Sequence, residues 1–318
     1  MATVTTPARR SSATRAPAPP PAPRPKRSAA RMRETLAAWT MLAPNLTLVT
    51  VFLLVPLVMA LVLSFQYSTG LASPSWAGLA NYRQLAEDPV FWRTVLNTAV
   101  FCVATVPVEM ALGLGLALLF NSVLPARPLW RTLVYLPMVI SGVATALIGT
   151  LMFDENIGLL NKLLGTVGVD ALPWQTDGAA AMGSVILITL WMRVGFNMVI
   201  YLAGLQGISP ELYEAARVEG ASYWQQLRNI TVPMLGPSTF FLLIMNVIYS
   251  FQVFDTVFVM TLGGPGHATD VMITYAYRNG FEGRQQGYAA AIGIALYLLV
   301  MLFTALQWRF SRNRDTVG

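Results

Sequence analysis

The sequence predicts an all-α, polytopic membrane protein with six transmembrane helices. Three observations carry that expectation. Hydrophobic residues make up 55% of the 318 and charged residues 11%, about half the charged share typical of a soluble domain. Mean hydropathy is +0.56. Six separate apolar runs reach the ~20 residues that a helix needs to cross a bilayer.

Residues 1–35 come first, with seven prolines, eight Arg/Lys and one acid. A segment so poor in large apolar residues cannot bury a core and is expected to be a disordered, basic tail. The run Trp39–Tyr67 follows as a first span, with Pro44 and Pro56 as potential kinks. It far exceeds the ~7–15-residue apolar region of a secretory signal peptide. The remaining runs are Thr94–Phe120, Leu129–Phe153, Ala179–Ile208, Pro237–Met260 and Tyr288–Trp308.

Six spans place both termini on one side. With the N-terminus in the cytoplasm, the inner segments carry fifteen Arg/Lys and the outer segments five. That asymmetry obeys the positive-inside rule, with half of it supplied by the tail. The net charge of +6 therefore bears on orientation and on contact with anionic lipid rather than on nucleic acid. Cys102 is the lone cysteine and His267 the lone histidine, so neither a disulfide nor a metal framework is expected.

The longest polar interruption that faces the cytoplasm in this scheme is Ser209–Pro237. Ser209-Pro210-Glu211 reads as a helix start: a capping serine, a proline at the first helical position, and an acid at the positive end of the dipole. Gly220 suits a left-handed helix end. Ser222 and Gln225 form a capping box for a second short helix. The stretch carries three acids against two arginines. A plain headgroup-bound helix usually carries more Lys/Arg, so this composition tilts the reading toward a docking surface for a partner protein, with Glu214 and Glu219 as charges and Ala215-Ala216 as a smooth contact.

Polar groups inside spans are costly and mark pathways by default. The fourth run holds Arg193 and Asn197, with Phe196 between them and Trp191 nearby. The fifth holds Asn246, Tyr249, Ser250 and Gln252, with Asp255 near its outer end. Asn246, Tyr249, Ser250 and Val253 recur at helical spacing on one face. An aromatic ring beside amides and hydroxyls suits a sugar. The competing reading is hydrogen-bonded glue between helices. Arg193 pairs with Asp255 or Glu109, or else binds an anionic solute; the ion pair is the favoured choice. Glu109 is expected to be structural, Gly113 and Ala117 to be packing positions, Trp224 and Trp308 to sit at the membrane interface, and His267 to be solvated.

Glu214-Ala215-Ala216, three residues, Gly220, nine residues, Ile230, two residues and Pro233 resemble the EAA motif of permease subunits in binding-protein-dependent bacterial ABC importers. Leu212-Tyr213, Glu219-Gly220-Ala221-Ser222, Phe254-Asp255-Thr256-Val257, Gly263-Gly264-Pro265-Gly266 and Gly287-Tyr288-Ala289-Ala290-Ala291 are similar to the carbohydrate branch, and the Gly-Gly-Pro pattern to the maltose and glycerol-phosphate type of first permease. Pro107, Glu109, Gly113 and Tyr135-Leu136-Pro137 fit as well. The resemblance covers roughly Trp39–Trp308.

That resemblance implies the type I importer permease fold, with residues 36–318 as the permease domain and 209–233 as its coupling helix. Glu214, Ala215, Ala216, Arg217, Glu219 and Gly220 would dock a cytoplasmic ATPase. It implies a second permease subunit, two ATP-binding subunits and an extracytoplasmic solute-binding protein as partners. It further implies a multi-pass location in the cell membrane and import of a sugar, a di- or oligosaccharide. The sugar positions implied are Asn246, Tyr249, Ser250, Gln252, Val253, Arg193, Phe196 and Asn197, although Arg193 stands where the maltose-type subunit has a small residue. The chain lacks the phosphate loop Gly-x-x-x-x-Gly-Lys-Ser/Thr, so it is not expected to be an enzyme or to need a cofactor; ATP and magnesium would sit in the partners. A phosphorylated polyol is the alternative solute. An ion-driven secondary carrier is the alternative class, disfavoured because no second half of the chain matches the first.

Overall fold

The structure is a computed structural model, and it describes residues 27–122 and 125–312. Two compact units are distinguished, one through Pro56 and one from Leu57 onward. Residues 1–26 of the expected tail lie outside the described residues.

The first unit is helical from Arg27, inside the stretch expected to be disordered. Helix α1 (Arg27–Val49) opens on Ala, Arg, Met and Glu, all strong helix formers that outweigh the charge of this stretch. A five-residue π-helical segment, Thr50–Leu54, follows. Pro56 lies just beyond it, and a proline that cannot donate its backbone N–H accounts for the changed hydrogen-bond register.

Helix α2 (Val55–Leu63) ends earlier than the expected Tyr67. Gln66–Tyr67 (β1) instead pairs antiparallel with Ser75–Trp76 (β2), a small departure from an all-α fold. Phe65 stacks on Trp76 with centroids 5.9 Å apart. Asn81, on α3 (Ala80–Glu87), ties down this hairpin by donating to Ser64 O at 2.8 Å and Gln66 O at 3.0 Å.

Helix α4 (Pro89–Asn121) and helix α8 (Gly178–Gln206) form the most extensive helix pair. Gly113 permits it: a Cβ there would collide with the Asn197 side chain. Ala117, Met198 and Leu242 are buried in the core beside this pair. The small residues expected to serve packing do so.

The expected single span Leu129–Phe153 is broken. Helix α5 (Arg127–Val139) and helix α6 (Gly142–Met152) meet at 99°. Pro137 loosens the last turn of α5, Ile140 is extended, and the Ser141 side chain caps α6 by accepting from Ala144 N at 3.3 Å. Cap and proline together restart the helix in a new direction. A short helix, α7 (Leu159–Thr166), follows.

Beyond α8, the chain forms α9 (Pro210–Val218) and α10 (Tyr223–Gln226), then a π-helical segment Leu227–Thr231 and α11 (Val232–Met234). The fifth span comprises α12 (Gly236–Phe251) and α13 (Asp255–Met260), interrupted at Gln252–Phe254. Helix α14 (Met272–Tyr277), a π-helical segment Arg278–Glu282 and α15 (Gln286–Arg312) complete the chain. Among the described residues, five helical stretches are long and apolar enough to cross a membrane, and the bent α5–α6 pair makes a sixth.

Asp88 fastens three of these elements. One carboxylate oxygen caps α4, accepting from Val90 N at 2.8 Å and Phe91 N at 3.3 Å. The other accepts the hydroxyls of Tyr275 on α14 and Tyr288 on α15, each at 2.5 Å. Partial burial pushes this carboxyl up, but the two tyrosines and the backbone donors outweigh it and hold it below its ordinary 3.8. The Tyr275 hydroxyl, buried and beside the carboxylate, is pushed up to about 12. A depressed carboxyl contributes stability above its unfolded pKa and loses it as pH falls through the folded value. Asp88→Asn should therefore lower thermal stability at neutral pH by about 1–3 kcal/mol and flatten the loss of stability below pH 3.8. Melting curves in detergent across pH check both; unchanged curves would remove Asp88 from this role.

Candidate functional site

The breaks in the third and fifth spans face one cavity of about 320 Å³. Met138, Ile140 and Gly142 line it from the α5–α6 bend. Tyr249, Ser250, Gln252, Val253, Phe254 and Asp255 line it from the α12–α13 interruption. Glu109 and Phe101 contribute from α4, and Thr189, Met192 and Arg193 from α8. Backbone that leaves a helix inside a bilayer is tolerated where it borders a cavity, and both breaks satisfy that condition.

Arg193 is the electrostatic centre. It is 5% exposed, and Glu109 is 2% exposed. Its Nε lies 3.5 Å from Glu109 Oε2, which resolves the choice of partner: Glu109 and not Asp255. Its Nη2 donates to Asn246 Oδ1 at 3.1 Å. Its guanidinium lies 3.9 Å from the centre of the Tyr249 ring, a cation–π contact at short range. Asn246 Nδ2 donates to Asn197 Oδ1 at 2.7 Å, and Asn197 Nδ2 to Arg193 O at 3.3 Å. One network thus ties α4, α8 and α12 together.

The expected site residues separate into two sets. Tyr249, Ser250, Gln252, Val253 and Arg193 line the cavity. Asn246 and Asn197 do not: both are fully buried and bonded to each other, in the manner of interhelical glue. Phe196 packs against the apolar cluster around α8 instead. The shared helical face of Asn246, Tyr249, Ser250 and Val253 also ends early, because α12 stops at Phe251 and Val253 lies in the break. Ser250 accordingly splits its contacts, donating to Asn246 O at 2.8 Å and approaching Thr105 Oγ1 at 3.3 Å.

Sequence reasoning missed the lining from the α5–α6 bend. The signal was present in Pro137 followed by Ser141-Gly142, a helix stop and a helix start within one apolar run. Asp255, expected only as a possible partner for Arg193, instead places its carboxylate against Gly142 in the first turn of α6.

The stretch Ser209–Pro237 forms two short helices joined by a bend. Gly220 has φ +80. Ala221 N donates to Ala216 O at 2.8 Å and Gly220 N to Arg217 O at 3.0 Å, which is the Schellman arrangement. The Ser222–Gln225 capping box is present on both sides. Ser209 starts α9 without a side-chain cap hydrogen bond, and Pro210 takes the first helical position, where its missing N–H costs nothing. Pro233 sits inside α11 after the π-helical segment. Glu214, Ala215, Arg217, Glu219 and Gly220 are exposed and Ala216 is half-buried. The Tyr213 hydroxyl, 3.0 Å from Thr231 Oγ1, ties α9 to the segment that leads into the fifth span.

His267 is not simply solvated. Its Nδ1 lies 2.9 Å from Oδ2 of the buried Asp270, which also pairs with Arg278 and accepts from Thr274 Oγ1 at 2.6 Å. Asn97 Nδ2 donates to His267 O and Asp270 O at 2.8 Å each. The Gly263–Gly266 loop is thereby anchored to α4.

The family model described as "Binding-protein-dependent transport system inner membrane component" matches residues 109–315. The lactose transport system permease protein LacF of Rhizobium radiobacter is 34% identical, over 91% of this chain and 98% of its own. The trehalose/maltose transport system permease protein MalF of Thermococcus litoralis is 32% identical, over 89% and 96%. A solved bacterial ABC transporter involved in the import of the acidic polysaccharide alginate superposes with a TM-score of 0.79 at 26% identity, covering 91% of this chain and 99% of that one.

Proposed function

The chain belongs to the family of inner-membrane components of binding-protein-dependent transport systems, and from that premise we propose that it moves a di- or oligosaccharide from a solute-binding protein into the cytoplasm. It is a multi-pass membrane permease of the ABC importer type, in the sugar-importing group, and a transport component rather than an enzyme. The cavity between the two broken spans carries the finer reading. Its volume of about 320 Å³ falls in the range of small-molecule sites, roughly 300–1,000 Å³. Its wall sets the Tyr249 ring beside the polar Gln252 and Ser250, a pairing that suits C–H faces and hydroxyls on one solute.

In this reading the α9–α10 end faces the cytoplasm, together with both termini. Glu214, Ala215, Ala216, Arg217, Glu219 and Gly220 form the coupling surface for one of two ATP-binding subunits. A second permease subunit completes the pathway, and ATP and magnesium stay in the ATPase partners. Movement of the docked helices reaches the cavity through Tyr213, Thr231 and the fifth span, which are continuous in the fold.

Tyr249→Ala should reduce uptake of a panel of radiolabelled neutral di- and trisaccharides about fivefold, as expected for loss of an aromatic contact worth about 1 kcal/mol. Copurification of the ATPase subunits should be unaffected. Unchanged uptake of every sugar, or loss of assembly, would count against a pathway role.

Glu214→Ala and Gly220→Val should each lower binding-protein-stimulated ATP hydrolysis by at least about tenfold, with membrane insertion intact. Valine at φ +80 is additionally strained. Full stimulation in both variants would sink the coupling assignment.

A further inference from the structure

We propose that the cavity admits uncharged saccharides and rejects acidic or phosphorylated ones, and that Glu109 sets this selectivity by occupying Arg193. The inference rests on the reading of this cavity as the sugar site.

Three charged side chains line the cavity: Glu109, Arg193 and Asp255. One base therefore stands against two acids. An unoccupied arginine at this depth would trap anions, because its planar fork matches carboxylate and phosphate. Here part of the fork is engaged before any solute arrives. Glu109 Oε2 lies 3.5 Å from Nε, Nη2 is spent on Asn246, and the Tyr249 ring covers one face. Only 7% of the Arg193 side chain is exposed.

The acids are placed differently. Glu109 Oε2 is buried and accepts no hydrogen bond. Asp255 is exposed at the cavity. A carboxylate or phosphate on a solute would face these two like charges in a medium of reduced dielectric, where repulsion is strong. Among the described residues, no other cation lines the cavity to offset it. Sugar hydroxyls meet the opposite situation. The exposed Asp255 carboxylate is an acceptor with free lone pairs, and O–H donation to an ionised acceptor is strong. Asp255 thus repels an anion and holds a polyol, while Glu109 acts through Arg193.

The test is equilibrium binding of two labelled trisaccharides, maltotriose and trigalacturonate, to the complete transporter in lipid nanodiscs without solute-binding protein. The wild-type complex should bind trigalacturonate at least about tenfold more weakly than maltotriose. Glu109→Gln frees Arg193 and should strengthen trigalacturonate binding by about tenfold. Adding Arg193→Met to that variant should remove the gain. Asp255→Asn lies outside the buried pair and should give a smaller gain, so it reports even where Glu109→Gln fails to assemble. Equal binding of the two sugars by wild type, or no gain in either single variant, overturns the charge selectivity while leaving a sugar site in place. Binding of neither sugar by the wild-type complex overturns it differently, by removing the sugar site itself.

Discussion

A guanidinium buried in the middle of a membrane bundle has to be compensated, and the compensation of Arg193 organises this molecule. An isolated charge at that depth is costly. Glu109 supplies the opposite charge from α4, Asn246 an acceptor from α12, and Tyr249 a π face from the same helix. The three contacts require α4, α8 and α12 to approach closely. Gly113 makes the approach between α4 and α8 possible, directly beside Asn197. The cavity wall is therefore the side of a packed polar knot, and its chemistry follows from how that knot is satisfied.

The breaks in the third and fifth spans complete the site. Helices satisfy their own backbone; interrupted helices expose carbonyls and amides, which must face water, protein or solute. Placing both interruptions on one cavity concentrates polar backbone where a polar solute would pass. Asp255, at the restart of the fifth span, lies against the first turn of α6 at the restart of the third. The positive end of a helix favours such a carboxylate, so the two restarts hold each other in place. At one end of the bundle, the Tyr213–Thr231 contact links the short helices α9 and α10 to the fifth span.

Much of this was legible in the sequence, and the exceptions have physical causes. Long apolar runs locate spans because bilayer thickness is a blunt requirement: α8 was expected at Ala179–Ile208 and runs Gly178–Gln206. Gly220 and the Ser222–Gln225 box were readable because capping is local. The bend at Ile140–Ser141 was not read, because hydropathy is blind to chain direction and only Pro137 and Ser141-Gly142 marked it. The cavity was half legible. Helical spacing put Asn246 and Tyr249 on one face, but spacing alone does not say what lies opposite. Asn246 meets Asn197 and is sealed, while Tyr249, one turn on, meets Arg193 at the cavity wall and remains 39% exposed. The start of α1 was missed because proline and charge in residues 1–35 masked the helix formers after Arg27.

The claim on which the rest depends is that Arg193 and Glu109 act as one buried ion pair. A double-mutant cycle with Glu109→Gln and Arg193→Met, read as thermal unfolding of the complex in nanodiscs, tests it most directly. Removing one partner strands a buried charge, at a cost of about 3–5 kcal/mol, whereas removing both is close to neutral. The account predicts that the double variant is more stable than either single one. Additive losses would show that the two side chains do not depend on each other and would contradict it.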